Sequence, residues 1–182
     1  MGVVLAAALG FAEEVPRPSP DIVIDQPSGQ KIQLSQYKGK VCVLAFILTT
    51  CPHCQKTVGI LTALQNELGP RGLQVVASAT EDMAAMNVPD FITRFKPSFP
   101  VGWSNYQAVL DYLQHNRMFK MFMPQLVFLD RAGTIRAQYG GDDKFFASDQ
   151  EKHLREQIET LLKEPAPGAK KPAARAPVKK AS

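Results

Sequence analysis

The chain has 182 residues, 45% of them apolar, which suffices for one well-buried core and leaves little for a second. The formal charge of +4 is not spread evenly: residues 163–182 hold five lysines and one arginine against one glutamate, so the rest is close to neutral. A basic domain built to hold nucleic acid is excluded, and the same stretch has no aromatics for stacking on bases.

Residues 1–20 read as a signal-like remnant and a spacer. Residues 3–11 are an apolar run, Gly10-Phe11-Ala12 has the small-x-small form of a signal-peptidase site, and Glu13-Glu14 follow. No Lys or Arg precedes the run, and it is too short to span a bilayer. An N-terminal helix packed on the domain is the competing reading. Export would place the protein in a periplasmic or other extracytoplasmic compartment, where disulfides persist.

After the Pro-rich stretch 15–20, residues 21–25 alternate as a strand, Gln26-Pro27-Ser28-Gly29 form a turn, and 31–34 complete a hairpin. Residues 41–48 are almost unbroken apolar sequence, a buried central strand. From Pro52 to Leu68, Val58, Leu61, Leu64 and Leu68 recur at helical spacing, and Gly69-Pro70 end the pattern. Residues 73–79 are a second buried strand, 89–95 a helix with Pro89 in its first turn, 99–101 a short strand and 106–113 a helix. Residues 126–130 and 134–139 form a hairpin closed by Gly140-Gly141, and Ser148 with Glu151 makes a capping box for a last helix through Leu154, Ile158, Leu161 and Leu162. The order implies an α/β fold, a central mixed sheet with helices on both faces. The expected domain is 21–162. Residues 163–182, rich in Pro, Ala and Lys, read as a disordered basic tail acting as a solvated spacer, contact with an anionic membrane being its second reading.

Cys51-Pro52-His53-Cys54 lies where the buried strand meets the helix. N–H groups of the first helical turn point at the Cys51 sulfur and favour its thiolate, the form that attacks disulfides, and a protonated His53 adds to that field. Pro52 suits the first helical position because its missing N–H has no partner there. Cys51 is therefore the attacking thiol and Cys54 the resolving one. Zinc is disfavoured, since only Cys42, His53, His115 and His153 could complete a four-ligand set, and haem attachment fails because Gln55 follows Cys54. No cofactor is expected.

The segment from Gly29 to Val41, GQKIQLSQYKGKV, followed by the strand and Cys51-Pro52-His53-Cys54, resembles the TlpA/ResA branch of the thioredoxin superfamily. Residues 123–133, MPQLVFLDRAG, are similar to that branch's proline loop, strand and turn. The resemblance implies a thioredoxin fold with an N-terminal β-hairpin and a helical insertion before a cis-proline loop. It implies that Pro124 is the cis-proline against the active-site pair and that the Met123 backbone pairs with an extended substrate. It implies a thiol-disulfide oxidoreductase whose partners are protein thiols or disulfides and a redox protein that recycles the pair. A monomer is expected.

Three positions depart from the family pattern. Ala45 stands where thioredoxin has a buried Asp, Thr57 where some members carry an acid, and Thr50 where a tryptophan often precedes the motif. No carboxylate in the motif's own neighbourhood is an obvious base for Cys54; Glu81, at the end of the second central strand, is one candidate for that base, and a solvated strand-end acid is its favoured reading. The Pro-His dipeptide resembles that of the oxidant DsbA while the framework resembles reducing members, so direction stays open. Cys42 reads as a buried small hydrophobe, and Trp103, Met118, Met121 and Met123 as packing, with Met118 to Met123 a second candidate as an apolar groove beside Pro124. Two other readings are a thiol peroxidase, disfavoured because Leu48 and Leu44 occupy the peroxide-holding Thr and Pro positions, and a redox-inert binding module.

Overall fold

The computed structural model describes residues 14–165; the signal-like run and the tail beyond 165 lie outside the described residues. Strands β1 (Arg17–Pro18), β2 (Val23–Asp25), β3 (Lys31–Gln33), β4 (Val41–Ile47), β5 (Leu73–Ala79), β6 (Val101–Trp103), β7 (Gln125–Leu129) and β8 (Thr134–Tyr139) form one sheet in the order β1-β8-β7-β4-β5-β6-β2-β3. Helices α1 (Pro52–Leu68), α2 (Ala84–Phe95), α3 (Tyr106–Leu113) and α4 (Gln150–Lys163) complete the fold.

All seven residues of β4 are buried, as its unbroken apolar run requires of a strand covered on both faces. It pairs in parallel with β5 and antiparallel with β7. Successive side chains leave a strand on opposite faces, so Val41, Val43, Ala45 and Ile47 join one core with α1, α2 and α4, while Cys42, Leu44 and Phe46 join another with α3 and the β2–β3 hairpin. On α1, Val58, Leu61, Leu64 and Leu68 are wholly buried, each stabilising the fold by about 1.5–3 kcal/mol relative to exposure. This double anchoring fixes the C-terminal end of β4, from which the cysteine motif emerges.

The structure departs from expectation in five places. The segment expected to be a spacer supplies β1, an edge strand where proline is tolerated; Arg17 there donates to Tyr112 O at 2.8 Å and to Gln138 Oε1 at 3.1 Å. Helix α2 starts at Ala84, so Pro89 lies inside it; burial of Ala84, Val88 and Phe91 offsets the one helical bond that Pro89 cannot donate. Strand β6 runs two residues later than expected, since Pro100 has no N–H for the ladder and pairing resumes from Val101, opposite Ala77. The Ser148–Glu151 capping box does not form: Asp149 is the N-cap, without a side-chain cap bond. Inward packing of Gln150, 3% exposed, sets the start of α4 instead. The anchored chain also passes Leu162, because Arg131 Nη2 donates to Leu162 O at 3.1 Å and Arg136 forms a two-pronged ion pair with Glu164 at 2.7 and 3.0 Å.

Candidate active site

Cys51 is the N-cap of α1, in extended conformation (φ −79°, ψ 119°), with Pro52 at the first helical position. The Cys51 carbonyl already accepts from the Gln55 N–H at 3.0 Å, while its own N–H donates to Leu48 O at 3.1 Å. The side chain is therefore delivered to the open N-terminal end of a seventeen-residue helix, where free N–H groups and the helix dipole favour an anion. Cys51 is half-buried and His53 and Pro52 are exposed, whereas Cys54, one helical turn on, is wholly buried. Both cysteines are free thiols.

Burial raises the Cys54 thiol far above its ordinary range. The Leu48 N–H, 3.4 Å from its sulfur, opposes this, and the neighbouring Cys51 thiol and the Glu81 charge reinforce it. Cys54 thus stays protonated at neutral pH until something removes its proton. Position 57 holds no charge: the Thr57 hydroxyl donates to His53 O at 2.9 Å and accepts from Gln150 Nε2 at 2.7 Å, and both side chains are buried.

The antiparallel register aligns Gln125 with Phe46, which carries Met123 and Pro124 to the same sheet end as Leu48 and Cys51. The Met123–Pro124 peptide bond is cis, Pro124 is buried and Met123 half-buried against both cores. The Gly141 N–H donates to Phe122 O at 3.0 Å, so the turn after β8 lies directly on this loop. Of the residues read as an apolar group, Met121 is buried, while Met118, with Phe119 and Phe122, is exposed on the run leading into the proline loop. Trp103 packs against the core.

A family model described as Redoxin matches residues 15–158. The chain belongs to the Redoxin family. Curated relatives include the thiol-disulfide oxidoreductase ResA of Bacillus thuringiensis strain Al Hakam, 23% identical over 176 residues that span 91% of this chain and 92% of that protein. ResA of Geobacillus kaustophilus is 24% identical over 163 residues, 84% of this chain and 89% of its own. Among solved structures, a thiol:disulfide interchange protein of the thioredoxin family from Chlorobium tepidum TLS superposes with a TM-score of 0.67 at 18% identity, covering 83% of this chain and 99% of that one. The thioredoxin domain of a thiol-disulfide oxidoreductase from Bacteroides vulgatus gives 0.66 at 19% identity, with coverage of 83% and 99%. This redoxin has the thioredoxin fold, with the hairpin β2–β3 added before β4 and α3 inserted between β6 and the proline loop.

Two features of the redoxin site differ from the favoured sequence reading. Glu81 is not a solvated acid: its Oε1 accepts the Thr49 N–H at 3.0 Å and the Thr49 hydroxyl as well, and its Oε2 is buried. The sequence signal for this was an acid two positions past a buried strand. Gly141 is more than a hairpin terminator, since a side chain there would run into the Met123 backbone. The Gly140-Gly141 doublet beside a strand hinted at such a close approach.

Proposed function

We propose that the protein is a thiol-disulfide oxidoreductase that exchanges disulfides with protein partners through Cys51 and Cys54. The observation that carries this reading is the asymmetry of the pair: one sulfur half-exposed at a helix start, the other buried one turn behind it, both at the sheet end that bears the Met123–Pro124 loop. The Cys51 thiolate attacks a substrate disulfide, one substrate sulfur leaves as a thiolate, and a mixed disulfide remains on Cys51. Cys54 then attacks the Cys51 sulfur, closing the Cys51–Cys54 disulfide and releasing the second substrate thiol. Run backwards, the same steps oxidise a dithiol, and the potential of the recycling partner sets the direction. Met123 and Pro124 present backbone to an extended substrate segment, and Pro52 and an exposed His53 shape and polarise the helix start around Cys51.

A peroxidase reading gains nothing from the site, because Leu44 is buried in β4 and the Leu48 N–H faces the Cys54 sulfur. The signal-like residues 3–11 support delivery to an extracytoplasmic compartment, and no helix among the described residues is long and apolar enough to cross a membrane. We take the acting unit to be a monomer.

The test is trapping. Cys54→Ser should accumulate a mixed disulfide between Cys51 and a substrate protein, seen as an adduct by mass spectrometry and released by dithiothreitol, while Cys51→Ser forms none. Faster labelling of Cys54 than of Cys51 by iodoacetamide at neutral pH would reverse the roles.

A further inference from the structure

The resolving step requires Cys54 to lose a proton that its surroundings hold firmly. The neighbouring positions that could bear an acid are uncharged: Ala45 is buried in β4, and the Thr57 hydroxyl is engaged by His53 O and Gln150. Among the described residues, two titratable groups act on the Cys54 sulfur, Cys51 from its own motif and Glu81 from the segment after β5.

Glu81 is built into the site. Its Oε1 is fastened by the N–H and the hydroxyl of Thr49, a residue only 6% exposed in the loop leading to Cys51. The preceding N–H, that of Leu48, points at the Cys54 sulfur from 3.4 Å. Consecutive peptide N–H groups therefore hold the carboxylate and the resolving sulfur. The other oxygen, Oε2, is buried with no hydrogen-bond partner. Leaving such an acceptor buried and unmatched is costly, so a group in this state asks for a role.

On the assignment of Cys51 as attacking and Cys54 as resolving thiol, we propose that Glu81 Oε2 accepts the Cys54 proton during the resolving step. As the Cys54 sulfur bonds to that of Cys51, the bond between Cys51 and the substrate sulfur breaks and its electron pair leaves with the substrate thiolate. The Cys54 proton passes to Glu81 and then to that thiolate or to solvent, restoring the carboxylate. When a dithiol reductant opens the Cys51–Cys54 disulfide, Glu81 takes up a proton from the reductant's thiol or from solvent and passes it to the Cys54 thiolate. No further oxidant or reductant enters.

Dithiobis(nitrobenzoate) separates the steps, because attack by Cys51 releases one coloured thiolate and closure by Cys54 releases a second. Glu81→Gln keeps a carbonyl oxygen for the Thr49 donors and removes the base. The full chain carrying it should show an unchanged first release and a second slowed about a hundredfold, the low end of what a positioned base contributes. The wild-type second phase should level off as pH rises, whereas the variant's should climb tenfold per unit as solvent takes over the proton. A second phase in Glu81→Gln as fast as wild type or faster overturns the proposal. Absence of the first release from wild type would instead overturn the assignment of Cys51. Should Glu81→Gln lose its native near-ultraviolet dichroism, the wild-type profile decides alone: a plateau supports the proposal and an unbroken tenfold climb overturns it.

Discussion

Replacing Gly141 by alanine should separate attack on small disulfides from attack on proteins. A Cβ at Gly141 would lie 2.5 Å from Met123 O, 2.6 Å from its carbonyl carbon and 2.9 Å from its nitrogen. Even close carbon–oxygen contacts lie near about 3.3 Å, so the proline loop has to withdraw by about 0.8 Å. The neighbours at fault are backbone atoms, which cannot swing away as a flexible side chain would. A misplacement of about 1 Å at a reacting position can cost about a hundredfold in rate. Insulin reduction with dithiothreitol should therefore fall by about that factor. The first release from dithiobis(nitrobenzoate), which needs no backbone pairing, should stay within about twofold of wild type. Wild-type insulin turnover by a folded Gly141→Ala protein would refute the role given to the Met123 backbone. Equal losses in both assays would place the damage at Cys51 rather than in the loop.

Thr57→Val strands the buried Gln150 amide, which has the Thr57 hydroxyl as its acceptor; the expected loss is about 2 kcal/mol, a fall in thermal midpoint of about 4–8 °C. Adding Gln150→Leu should recover most of it, and a simply additive double mutant by calorimetry would contradict the pairing. Cys42, buried in β4, has its thiol pushed up to about 12 by burial. Because the folded protein holds this proton more tightly than the unfolded chain, whose thiol titrates near 9, the stability is fully present below pH 9 and is lost as pH rises towards 12. Unfolding free energy should carry a Cys42 contribution that falls by about 1.4 kcal/mol from pH 8 to pH 10. Guanidinium titrations of Cys42→Ala should show a slope shallower by that amount, and an unchanged slope would mean that Cys42 opens to solvent before it ionises.

Much of this protein is written locally. The unbroken apolar run of β4 and the helical spacing of Val58, Leu61, Leu64 and Leu68 place both elements, and the spacing of Cys51 and Cys54 at their junction already implies unequal thiols. Where local signals compete with tertiary contacts, the contacts decide. Arg17 and Pro18 become a strand only because β8 offers them an edge, and α2 runs through Pro89 because Val88 and Phe91 find a core. The resolving chemistry belongs to that second kind. Glu81 lies thirty-two positions from Thr49 in sequence, and what makes it more than a solvated acid is the parallel pairing of β4 with β5, Ile47 opposite Ala79, which sets the two strand ends side by side. Composition and periodicity report which surfaces are apolar, and so they fix elements and their cores. The state of a single carboxylate depends on which distant N–H groups reach it and whether water does, and only the assembled sheet determines that.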